Sequence, residues 1–132
     1  MNKKVKDISA GEEHAALITE DKEVYTWGYG NDGQLGIGNK MPQYYPTKVV
    51  GLQSIKKVVC GGGHTAAINE NGELYLFGRG RDGQIGRTDI GKNVDVESTV
   101  PMKVEFFSKN ELIVLDVALG TNHSMVVARH KQ

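Results

Sequence analysis

Along the chain, short runs of alternating or β-branched residues are set off by glycine-rich breaks, and no stretch has the length and 3.6-residue period of a substantial helix. Ile55-Lys-Lys-Val-Val-Cys60 is β-branched and stops at Gly61-Gly62-Gly63, which predicts a strand A ending there. His64–Asn69 reads as strand B and Glu73–Gly78 as strand C. Between them Asn71-Gly72 predicts a tight type I′ hairpin with positive φ at both positions. Pro101–Phe106 is expected as strand D, with proline at its first residue as an edge strand permits. The first third of the chain repeats this plan with Val5–Ala10, His14–Thr19, Glu23–Gly28 and Pro46–Val50. There Asp21-Lys22 stands in place of Asn-Gly, so the first hairpin is expected to be the looser one.

The two plans are copies of one unit. A shift of 50 residues lays Gly11 on Gly61, His14 on His64, Tyr25 on Tyr75, Trp27 on Phe77 and Asp32–Gly36 on Asp82–Gly86. Close to half of the aligned positions from Val5 to Gly36 are identical, more than shared composition would give. A third start, Val114 to His123, follows the second by 59 residues. The extra length lies between Gly86 and the third Gly-x-x-His. Four short antiparallel strands per unit, marked by glycine and aromatic residues and repeated in register, predict an all-β fold of β-propeller blades. The expected boundaries are residues 5–50 for one blade, 55–106 for a second, and 112–129 for the A–B half of a third.

The string V-x-x-V/I-x-x-G-x-x-H, followed by G-x-V-Y-x-W-G-x-G-x-x-G-Q-L-G and then P-x-x-V, resembles the repeat of the regulator of chromosome condensation family. It is carried by Gly11, His14, Tyr25, Trp27, Gly28, Gly33–Gly36, Pro46 and Val49. The second copy carries it on Gly61, His64, Gly72, Tyr75, Phe77, Gly78, Gly83–Gly86, Pro101 and Val104. The resemblance implies propeller blades, seven to a closed ring in the family's namesake. Lys22 in place of glycine, Phe77 in place of tryptophan and the long loop after Gly86 depart from the pattern.

Charge narrows the functional classes. Lys and Arg number 16 against 16 Asp and Glu, so no general field draws the chain to nucleic acid or to an anionic membrane. No apolar stretch approaches a membrane span and no export signal is visible, which leaves a soluble protein of cytoplasm or nucleus as the expectation. One cysteine cannot form an internal disulfide; Cys60, aligned with Ala10, is expected as a small buried hydrophobe. The 17 glycines point to many backbone positions closed to other residues.

Three motifs invite chemical readings. Gly28–Gly33 and Gly78–Gly83 both satisfy G-x-G-x-x-G, but a phosphate cradle needs the loop to open a helix, and Gln-Leu-Gly or Gln-Ile-Gly follows instead. A tight loop over the blade top is expected, with no cofactor. His14, His64 and His123 fall on one rim, where imidazoles are competent for metal binding or proton transfer. A residue written into every repeat usually serves what every repeat needs, so Gly11/His14, Gly61/His64 and Gly120/His123 are expected to shape the A–B turns, each imidazole bonding the backbone of its own turn. Asn122-His-Ser124 fits a glycosylation sequon and is read as a chance match. No nucleophile–base constellation is visible, so neither a catalytic centre nor a metal site is expected.

Topology places the A–B turns and the C–D loops on one face. The loops diverge between the copies, and such variation marks a face free to specialise. It carries Glu12, Glu13, Tyr29, Asn31 and Tyr44-Tyr45 on the first blade and Arg79, Arg81, Arg87 and Lys92 on the second. Mixed charge beside aromatic residues suits a protein partner. A ring usually needs about 4–8 blades, so the chain is expected to be part of a larger propeller or to assemble with copies or partners that cover its flanks. Its closing A–B pair resembles the end of a ring whose last blade borrows outer strands from the other end. A non-catalytic protein-interaction module is the first functional expectation. Guanine-nucleotide exchange on a Ran-like GTPase, implied by the resemblance alone, is the second, and chromatin binding the third.

Overall fold

Strands β1 (Val5–Ala10), β2 (His14–Thr19), β3 (Val24–Gly28) and β4 (Gln43–Lys48) pair antiparallel in chain order. Strands β5 (Ile55–Cys60), β6 (His64–Asn69), β7 (Leu74–Arg79) and β8 (Glu97–Lys103) repeat the arrangement. A short helix α1 (Glu105–Lys109) leads to a two-stranded sheet of β9 (Leu112–Leu119) and β10 (Ser124–His130). The computed structural model describes residues 3–80, 97–121 and 123–131.

Period-2 alternation gives each sheet two distinct faces. In the first sheet Leu17 lies opposite both Ile8 and Tyr25, and Ala15 opposite Ala10 and Trp27. In the second, Ala67 lies opposite Val58 and Tyr75, and Thr65 opposite Cys60 and Phe77. We term this the leading face and the reverse the trailing face. The core forms between sheets: Ala16, Ile18 and Val24 on the trailing face of the first cluster with Val58, Cys60, Ala67 and Phe77 of the second. Ala66, Ile68, Leu74 and Leu76 of the second then cluster with Val114, Val117 and Val126 of the third. Each such aliphatic side chain contributes about 1.5–3 kcal/mol when buried, so sheet-to-sheet stacking is the main source of stability. The inner strands β1, β5 and β9 contact one another in succession, and the sheets fan about that inner edge as propeller blades.

The strands depart from expectation at the outer edge. β4 spans Gln43–Lys48 and β8 spans Glu97–Lys103, several residues earlier than the predicted D strands. Proline therefore sits inside each outer strand rather than at its start. The register with the neighbour shifts between Thr26 and Gly28 and between Leu76 and Gly78, and an edge strand with an interrupted ladder accommodates a missing N–H. Beyond β8, the expected end of strand D coils into α1, with Glu105 in its first turn and Lys109 in its last, charges that suit the helix dipole.

The hairpins also differ from the predicted type I′ turn. Gly72 N donates to Asn69 O (3.0 Å), and only Gly72 takes positive φ (78°). This is a type I turn closed by one left-handed residue. The first copy builds the same turn with Lys22 at φ 64°. No helix among the described residues is long and apolar enough to cross a membrane.

Candidate functional site

The rim begins with three A–B turns, each closed by the backbone. Gly11 N donates to His14 O (2.8 Å), Gly61 N to His64 O (2.9 Å) and Gly120 N to His123 O (2.9 Å). Successive turns are also tied to each other, Glu12 N to Gly61 O (3.3 Å) and Gly62 N to Gly120 O (3.2 Å). A Cβ on Gly11 would lie 2.1 Å from Gly61 O, so the close approach of the turns requires glycine there.

The imidazoles of His14 and His64 reach outward to the next sheet, not to the backbone of their own turns as expected. His14 Nε2 lies 2.8 Å from Thr65 Oγ1, and His64 Nε2 lies 3.2 Å from Ser124 Oγ. The Thr65 hydroxyl donates its one proton to Gln34 O (2.7 Å), so His14 must be the donor to Thr65 and carries its proton on Nε2. Its Nδ1 is buried without a hydrogen-bond partner among the described residues. Burial, reinforced by the neighbouring His64 ring, holds the His14 pKa down to about 4, and burial likewise lowers that of His64. These rings are neutral structural bridges at neutral pH.

The first C–D loop fills the cleft between sheets. Leu35 and Gln34 are buried, Thr26 Oγ1 donates to Leu35 O (2.6 Å), and Gln34 Oε1 accepts from Asp32 N (2.9 Å). Asp32 Oδ2 in turn receives Arg79 Nη2 at 2.7 Å. Gly36, at φ 69°, lies so close to the Phe77 ring that a Cβ would stand 2.6 Å from it. Of the second G-x-G-x-x-G string, Arg81–Gly83 lie outside the described residues, as do Gln84–Gly86, Arg87, Lys92 and Asn122.

On this frame Glu12, Glu13, Tyr29 and Asn31 are exposed, and Arg79 is partly exposed while held by Asp32. Glu12 Oε1 accepts from Thr121 Oγ1 (2.7 Å), joining the first turn to the third across an open groove of about 250 Å³ lined by all three turns. Tyr44 and Tyr45 are almost fully exposed on the outer strand β4, away from the turns. Sequence reasoning missed Asp32, Gln34, Thr65 and Ser124 as inter-sheet ties. The hydroxyl directly after the histidine in two of three units was the available signal for two of them. Cys60 is buried as expected; its amide bonds Ser9 Oγ at 3.0 Å.

Several known proteins are similar to this chain in sequence or in fold. The chain is 41% identical over 46 residues to the ultraviolet-B receptor UVR8 of Arabidopsis thaliana, covering 35% of this chain and 10% of that protein. It is 31% identical over 127 residues to the probable E3 ubiquitin-protein ligase HERC6 of Homo sapiens, covering 96% of this chain and 12% of that protein. Prp20p from Saccharomyces cerevisiae, whose crystal structure was described with its binding properties to Gsp1p and histones, superposes with a TM-score of 0.84 at 22% identity, over 99% of this chain and 32% of that one. Human WBSCR16 superposes with a TM-score of 0.76 at 24% identity, over 96% of this chain and 31% of its own. The chain thus spans about a third of the solved structures it matches and far less of the curated relatives. The model of the Regulator of chromosome condensation (RCC1) repeat matches residues 21–68 and 71–127, and a second model of the same repeat matches residues 5–34 and 55–84. With most of its length covered by these repeats, the chain belongs to the regulator of chromosome condensation (RCC1) repeat family.

Proposed function

We propose that this chain is a non-catalytic protein-interaction module, part of a larger propeller, that binds a protein partner on the face bearing the A–B turns and C–D loops. The observation that carries this reading is the contrast between frame and surface. Backbone ties, His14–Thr65 and Gly36–Phe77 fix the loop roots, while Glu12, Glu13, Tyr29 and Asn31 stand exposed above them. A rigid base that presents charged and aromatic side chains loses little entropy on binding. Arg81, Arg87 and Lys92, which follow β7 in the sequence, are proposed to extend the same face. Prp20p, known for binding Gsp1p and histones, supports protein partners for such repeats.

Affinity capture with mass spectrometry tests the reading. A partner retained by the wild-type chain is expected to be lost with a Glu12→Lys/Glu13→Lys variant or an Arg81→Glu/Arg87→Glu variant, and kept with Lys56→Glu outside the face. Equal capture by all variants overturns it. The likeness to Prp20p favours a second reading, guanine-nucleotide exchange on a Ran-like GTPase. Faster release of a fluorescent guanine nucleotide from such a GTPase on adding the chain is the result that reading requires.

A further inference from the structure

One joint is used twice within the chain and left open at both flanks. His14 lies over Gly11 and reaches Thr65 in the next sheet; His64 lies over Gly61 and reaches Ser124. His123 takes the same place over Gly120, where its exposed side chain faces no further sheet among the described residues. Beside it Met125 and Val127 are 66% and 55% exposed, at the register positions where Ala66 and Ile68 are fully buried in the second sheet. At the opposite flank, the leading-face position of Thr65 and Ser124 is held by Ala15, which has no hydroxyl.

We propose that the open face beside His123 docks a further repeat wedge whose strand B places serine or threonine directly after the Gly-x-x-His position, so that the imidazole–hydroxyl pair selects which wedge abuts which. The partner's chemistry follows from continuity with the two internal joints, both of which set a hydroxyl against the incoming imidazole. A second copy of this chain would offer Ala15 instead. Burying His123 against a methyl group leaves an N–H without an acceptor, which weakens association by about tenfold or more. The inference rests on the larger-propeller part of the functional reading and is independent of the partner-binding face, so the failure of either is separately visible.

Analytical ultracentrifugation of the 132-residue chain tests it, with the chain itself as the probe. Ala15→Ser supplies the missing hydroxyl on the leading face and is expected to strengthen head-to-tail self-association about tenfold or more over wild type. Adding His123→Ala is expected to cancel that gain, and Met125→Glu to abolish the association outright. All three side chains lie on open flanks, and circular dichroism confirms that the variants fold. Wild type associating as tightly as Ala15→Ser overturns the proposal and makes a second copy the occupant. Failure of Ala15→Ser to associate at any concentration overturns it as well, since the hydroxyl then selects nothing.

Discussion

His14 Nε2 donates to Thr65 Oγ1 at 2.8 Å inside the joint between the first two sheets, and the Thr65 hydroxyl in turn donates a hydrogen bond to Gln34 O. With Nε2 already the donor, a second proton would have to enter at Nδ1, which is buried without a partner among the described residues, so the folded joint favours the neutral imidazole. His14 titrates at about 4 when folded against an ordinary value of 6.5, so between those values the unfolded chain binds the extra proton. Stability is therefore expected to be complete above pH 6.5 and to fall as pH drops toward 4, by about 3 kcal/mol from this group. His64 adds loss of the same sign. Urea unfolding at pH 7, 5.5 and 4.5 measures it; His14→Ala lowers stability at neutral pH but flattens this part of the profile.

The contact between Gly36 and Phe77 yields a second expectation. A methyl group there meets the ring at 2.6 Å and also forces an L-residue to φ 69°. Gly36→Ala is expected to cost about 2–4 kcal/mol in chemical denaturation. Gly38→Ala, with nothing within 4 Å of its added Cβ, meets only the backbone penalty of φ 91° and costs about 1 kcal/mol.

Lys22 holds the left-handed turn position that Gly72 fills in the second copy. Its ammonium pairs with Glu70 at 3.0 Å, but both partners are more than 40% exposed, so the pair contributes little. Lys22→Gly is expected to raise stability by about 0.5–1 kcal/mol, read as a higher denaturation midpoint.

Burial pushes the Cys60 thiol up to about 12, against the opposing hydrogen bond to Ser9. The reactive thiolate is absent at pH 8 and the sulfur is shielded. A disulfide reagent such as Ellman's is expected to leave the native chain unlabelled for hours and to label the urea-unfolded chain within minutes.

The inner and middle strands were legible because their signals are local. Ile55–Cys60 is β-branched and stops at Gly61–Gly63, His64–Asn69 begins directly after them, and both form strands with those limits. Copying the unit to Val5–Ala10 and His14–Thr19 succeeded for the same reason. The outer strands were less legible. Where β4 and β8 begin depends on the loop that returns to β3 or β7, and proline gave a misleading start because an edge strand with a shifted register accepts it internally. Asn71-Gly72 signalled a turn correctly and its type wrongly, since the preceding Asn69 side chain caps the Asn71 and Glu73 amides and stabilises a wider turn.

By itself, the sequence determined the repeat, its inner and middle strands, the glycines at crowded turns and the family. These are properties of one unit, written in spacing and side-chain alternation. What the imidazoles touch, where Gln34 and Asp32 are anchored, and which surfaces stay open were decided only when the sheets stacked. Each of those contacts joins residues tens of positions apart across two sheets, so its partner is set by the angle and offset of neighbouring wedges rather than by any local pattern.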